Sequence, residues 1–134
     1  MSDARPTAVV RPRVVVLADD LIWATRLLDG VRRAGGDAVP VRTSSAFDAA
    51  LADADAALVD LTARAYDGLD ALARAAAAGV PAIAVGQHDD LPLRRAAKAA
   101  GATRVHAYRA LFEHGDRELA TWLTALRAAK EVER

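Results

Sequence analysis

A chain of 134 residues is long enough to bury the core of one domain. Its 18 basic and 18 acidic side chains balance to a formal net charge of +0, which argues against nucleic acid or an anionic membrane surface as a partner, since both reward a basic face. With no Cys, disulfides, thiolate chemistry and cysteine metal sites are excluded. No apolar run is long enough to span a bilayer, and Met1 to Ala8 lack the apolar core of a signal peptide, so a cytoplasmic location is expected. Aromatic residues make up only 4% of the chain, so Ala, Val and Leu must fill its interior.

Residues 1–12 mix small, polar and Pro residues and read as a flexible N-terminal arm, with residues 13–134 forming a single domain. Arg13 to Ala18 is an apolar run of the kind found in a strand covered on both faces. Asp19 or Asp20 then caps a helix in which Leu21, Ala24, Leu28 and Val31 recur at helical spacing, and Gly35-Gly36 stops it. Ala38 to Val41 is a second strand, and Pro40 assigns it to an edge. Thr43 or Ser44 caps a second helix running to about Ala52, and Ala56 to Asp60 is the third strand. A loop to Gly68 leads into a helix over Leu69 to Ala78, followed by a strand over Pro81 to Val85. The fourth helix runs from Leu91 or Pro92 to Ala100, with Pro tolerated in its first turn. Thr103 to Ala107 is the fifth strand, and the last helix is expected over Asp116 to Lys130. Five alternating β–α units predict an α/β, doubly wound, flavodoxin-like three-layer sandwich, with a five-stranded parallel sheet in the order 2-1-3-4-5.

Two of these strands end in acid. Val14-Val15-Val16-Leu17-Ala18 runs into Asp19-Asp20, and Ala57-Leu58-Val59 runs into Asp60. In a parallel α/β sheet the carboxyl ends of the strands open onto the ligand crevice, at the point where the strand order reverses. If the first and third strands are neighbours, Asp19, Asp20 and Asp60 share that rim. Like charges gathered there repel, and a proton or a hard cation relieves them. An oxygen-only ligand set in an open loop suits Mg²⁺. Read structurally instead, Asp19 and Asp20 cap the first helix and Asp60 accepts backbone N–H groups.

The spacing of these acids resembles that of the receiver domains of two-component response regulators, the chemotaxis type in particular. Such domains carry an acidic pair after strand 1, a phosphoacceptor Asp at the end of strand 3 and an Asp-Gly pair after it. Here Asp67-Gly68 sets its Gly eight residues beyond Asp60, and the resemblance extends from about Arg13 to Lys130. It implies that Asp60 is the phosphoacceptor. It also implies that Asp20, Asp60 and the backbone carbonyl of Thr62 hold Mg²⁺, with Asp19 assisting.

The chain departs from that pattern at the residues that read the phosphoryl group out. Receivers carry a Ser or Thr at the end of strand 4 and a Lys at the end of strand 5, where this chain has Gly86 and Tyr108. The Met-Pro of the strand-3 loop is replaced by Ala63-Arg64. Without the hydroxyl the strand-4 switch has no polar handle. Without the Lys, about 1.5 to 2 added negative charges would rest on the metal, unless Arg64 or Arg109 reached in. An acid pocket kept without its readout describes an atypical or pseudo-receiver.

Three functional readings follow. The first is a stand-alone signalling module, with no enzymatic activity of its own, working through protein–protein contacts with a histidine kinase or a downstream effector. No output domain is expected after the fifth helix, so output would pass to another protein or to a homodimer formed through helix 4, strand 5 and helix 5. The second is a conventional receiver that accepts phosphoryl on Asp60 with Mg²⁺. The third is a small-ligand binder on the same scaffold, which would call for a phosphate-cradling loop where Asp19-Asp20 stands. Among the remaining residues, His88 near the rim reads as a loop residue, His106 alternates within strand 5, and His114 is expected in the loop after it. Leu21-Ile22-Trp23 cannot all be buried by one helix, so one of them stacks on the loop near Thr62 or Tyr108 or faces a partner.

Overall fold

The computed structural model describes residues 11–87 and 89–133. Most of the arm expected over 1–12, and His88, lie outside the described residues. The element order is β1 (Arg13–Leu17), α1 (Leu21–Arg33), β2 (Asp37–Val41), α2 (Ser44–Leu51), β3 (Ala56–Asp60), α3 (Gly68–Ala77), β4 (Ala82–Gly86), α4 (Leu91–Ala99), β5 (Arg104–Ala107) and α5 (Tyr108–Glu133). The five strands form one parallel sheet in the order β2-β1-β3-β4-β5, as the alternation of apolar runs predicts. Pro40 lies in β2, at an edge, where a missing N–H costs no ladder bond.

Side chains alternate across the sheet with a period of two, which divides the core into two layers. Val15, Leu17, Ala57 and Val59 pack with Phe47, Leu51, Leu72 and Ala75 of α2 and α3. Val14, Val16, Ala56 and Leu58 pack with Leu27, Val31, Leu111, Leu119 and Leu123 of α1 and α5. Small side chains on β3, β4 and α3 let helix and sheet approach closely, and Phe47 is the bulkiest fully buried side chain.

The helix boundaries follow their caps. Asp20, Thr43, Asp67 and Asp90 each stand outside a helix and accept backbone N–H groups of its first turn. Gly101, with φ of 120°, turns the chain out of α4 in the left-handed region, and a Cβ there would stand 2.9 Å from that of Ala76.

One boundary differs sharply from expectation. The last helix begins at Tyr108 rather than near Asp116, directly after β5, so His114 sits on a helix and not in a loop. The reason is visible in the sequence once the helix is drawn back. Tyr108, Leu111, Gly115 and Leu119 fall on one stripe and are all buried, Gly115 included. That glycine has the look of a breaker, but α5 runs through it unbroken.

Candidate functional site

Asp60 is the last residue of β3 and is 1% exposed, the one buried charged side chain among the described residues. Strand parity sets its direction. Ala56 and Leu58 point to the α1/α5 layer, so Asp60, two residues on, points there as well. A carboxylate in that position must be hydrogen-bonded or it costs several kcal/mol. Its Oδ1 accepts the Thr62 N–H at 2.9 Å, the Thr62 hydroxyl at 2.9 Å and the Tyr108 hydroxyl. The Thr62 and Tyr108 hydroxyl oxygens are themselves 2.6 Å apart, so two hydroxyl protons serve three contacts around a triangle. The Thr62 contribution is local, an Asp bonded two residues ahead. The Tyr108 contribution comes from the first turn of α5.

Tyr108 is held as firmly from its other side. Its ring lies 4.5 Å from that of Trp23, which stacks in turn on Phe112 at 4.8 Å, with the Arg26 guanidinium over Trp23 and Phe112. Burial first, and then the hydrogen bond to Asp60, push the Tyr108 phenol well above its ordinary range, so it stays a protonated donor. Trp23 therefore resolves the alternatives for Leu21-Ile22-Trp23: it packs on Tyr108 with the rings tilted, while Leu21 and Ile22 face outwards.

A second tyrosine supports the strand ends. The Tyr66 hydroxyl reaches the carbonyls of Leu17 at 3.0 Å and Asp60 at 2.6 Å, bridging the ends of β1 and β3. Burial, followed by the nearby Asp60 and Asp19, raises its pKa too. Asp19 closes the loop above: its Oδ2 accepts the N–H groups of Arg64 at 3.2 Å and Ala65 at 3.1 Å. Asp20 spends Oδ1 on Ile22 N–H and Trp23 N–H, at 2.9 and 3.0 Å, as the N-cap of α1.

The three acids thus stand at the ends of two paired strands, β1 and β3, each engaged by different donors. That arrangement bears on the cation implied by the resemblance. A hard divalent ion needs several oxygens free to converge, whereas Asp19 and Asp20 are turned to loop and helix N–H groups, and the contacted oxygen of Asp60 is already in a triangle of donors. Among the described residues no three His, Asp or Glu side chains are grouped to hold a metal ion. Thr62 engages Asp60 through its N–H and hydroxyl. As folded, one oxygen of each of the three acids is held by a protein donor, so a cation among them would have only the remaining carboxylate oxygens to draw on.

Neither cation considered at the rim bonds Asp60 among the described residues. Arg109 pairs with Glu113 at 3.2 Å along α5, and Arg64 is exposed. Gly86 is buried at the end of β4, where a Cβ would meet Leu61 at 3.5 Å, an ordinary contact. Asp19, Asp20, Asp60 and Thr62 stand out in the sequence, whereas nothing local marks the hydroxyls of Tyr66 and Tyr108 as their partners. The signal for Tyr108 was its register at the end of β5, but the helix that aims it was expected eight residues later.

No family model matches this sequence, and no curated protein matches it. Solved structures do. A signal receiver domain from Vibrio parahaemolyticus superposes with a TM-score of 0.77 at 19% identity, over 93% of this chain and 99% of that one. A response regulator receiver domain from Clostridium thermocellum gives 0.74 at 15% identity, over 92% and 99%. The receiver domain of the TMAO respiratory system response regulator TorR gives 0.73 at 17% identity, over 88% and 98%. The fold is therefore the receiver fold along nearly the whole chain, as its strand order and spacing of acids led one to expect.

Proposed function

We propose that this chain is a receiver-like signalling module that works by binding a protein partner in the cytoplasm, without enzymatic activity and without phosphoryl transfer to Asp60. The observation that carries this reading is the Tyr108 hydroxyl on the Asp60 carboxylate. In a phosphorylatable site that carboxylate must be open to attack a phosphodonor and must lie beside cations that offset the charge it gains. Here the position expected to carry a Lys carries a phenol that donates to the carboxylate instead, and its ring is locked by Trp23 and Phe112. Asp60 then serves as a clasp between β3, the Thr62 turn and α5. The histidine kinase or effector expected as partner would meet a surface, not a reaction centre.

Incubating the full chain with Mg²⁺ and acetyl phosphate, followed by intact-mass measurement, tests this. The expected result is no added mass. A gain of one phosphoryl group that disappears in Asp60→Asn would overturn the reading in favour of a conventional receiver.

A further inference from the structure

The chain holds two residues each of Trp, Tyr and Phe, and one of each meets in a single cluster, Trp23, Tyr108 and Phe112. Tyr108 is buried, but Trp23 is only half-buried and Phe112 is 36% exposed. A chain that fills its interior with Ala, Val and Leu thus leaves aromatic surface open to solvent at one place. Beside the rings lies an open cavity of about 370 Å³, over the carboxyl ends of β4 and β5. Gln87, directly after β4, and Arg109 and Glu113 of α5 complete its wall. The Arg26 guanidinium lies over Trp23 and Phe112 but does not line this cavity, so it leaves that side of the cluster uncovered.

We infer that this cavity binds a small, neutral, planar heteroaromatic molecule. Its volume falls within the range of about 300–1,000 Å³ typical of small-ligand sites, which combine an apolar and aromatic wall with a few polar groups. Its position also suits a ligand, since parallel sheets of this kind bind at the carboxyl ends of their strands. The exposed ring surface favours a flat aromatic guest, which can lie offset or edge-on against Trp23 and Phe112. The Gln87 side chain offers a carbonyl acceptor and N–H donors side by side, the complement of a lactam or amide edge. Charge decides for a neutral guest: Arg109 and Glu113 are joined at 3.2 Å, so the rim presents a balanced pair and not a field for an anion. The inference adds a small ligand to the protein-binding role proposed above and does not rest on that role.

The test titrates the full chain, labelled with ¹⁵N, with quinolin-2-one and follows the indole N–H signals by two-dimensional NMR. The signal of Trp23 should shift saturably, while that of Trp122, which does not line the cavity, stays in place. Phe112→Ala removes one aromatic wall and should weaken binding at least about fivefold. Gln87→Ala, at an exposed position that does not threaten the fold, should weaken it at least about threefold. Leu91→Ala, an exposed apolar residue outside the cavity, should stay within about twofold. Quinoline-2-carboxylate, flat but anionic, should bind no more tightly than the lactam. The inference is overturned if Trp23 shows no saturable shift up to the solubility of the probe, or if Leu91→Ala loses as much as Phe112→Ala and Gln87→Ala. Tighter binding of the carboxylate would also overturn it, by assigning recognition to Arg109. So would a Trp23 signal that moves with protein concentration alone, since a second copy of the chain would then fill the cavity.

Discussion

The hydroxyl of Tyr108 donates to Oδ1 of Asp60, joining the first residue of α5 to the last residue of β3. The contact links elements far apart in sequence and satisfies a buried carboxylate. Tyr108→Phe keeps the ring against Trp23 but removes the donor. It should destabilise the fold by about 1.5–3 kcal/mol, the usual range for a hydrogen bond to a charged group, as read from urea unfolding. A loss under about 0.5 kcal/mol would show that Thr62 alone satisfies Asp60.

Both buried phenols predict a loss of stability in alkali. Tyr66 and Tyr108 have their pKa raised in the folded chain, chiefly by burial, whereas in the unfolded chain each ionises near its ordinary value of about 10. Above that pH the unfolded state has released protons that the folded state still holds, so stability should fall as pH rises through 10. Tyr108→Phe should reduce the slope of unfolding free energy between about pH 10 and 11.5, since one of the two phenols is gone. An unchanged slope would count against the raised value.

His106 gives the opposite sign on the acid side. Burial depresses its pKa, with Arg104 and Arg94 adding to the effect and Glu118 opposing it. The unfolded imidazole takes up a proton near pH 6.5 while the folded one resists. This group's contribution is therefore intact above about 6.5 and declines as pH falls below it. His106→Gln should flatten the stability profile between about pH 5 and 6.5, measured by thermal unfolding across that range.

Two glycines should respond oppositely to the same substitution. Gly86→Ala places a methyl at ordinary contact distance from Leu61, in a backbone any residue adopts, and should stabilise by about 0.4–1 kcal/mol. Gly101→Ala forces a left-handed φ of 120° and presses on the Ala76 side chain, and should cost roughly 1–3 kcal/mol. Chemical denaturation of the two variants distinguishes the positions.

The loop staple at Asp19 is measurable without unfolding the protein. Asp19→Ala frees the N–H groups of Arg64 and Ala65, so amide hydrogen exchange at residues 64 and 65 should accelerate while that of Leu58 and Val59 in the sheet stays slow.

The sheet was legible because each strand is a short apolar run bounded by turn residues, and Pro40 even marked its edge. The three acids were legible as strand-end residues because the carboxyl ends of the strands meet at the switch point of a sheet of this order, but the burial of Asp60 beneath Thr62 and Tyr108 was not. Nor was what each acid binds. Asp20 as a helix cap is a matter of nearest neighbours, but Asp19 bonds a loop 45 and 46 residues away and Asp60 a tyrosine 48 residues away, and no local pattern encodes such pairings. The early start of α5 was not legible because Gly115 lowers the helical propensity of its first turns, while the burial of Tyr108, Leu111 and Leu119 on one stripe overrides it.

No residue separates Ala107 at the end of β5 from Tyr108 at the start of α5. A junction with no slack transmits displacement. The clasp on Asp60 therefore also fixes where β5 ends: the residue that donates to the carboxylate stands two positions after His106, with no loop between strand and helix to take up a misplacement.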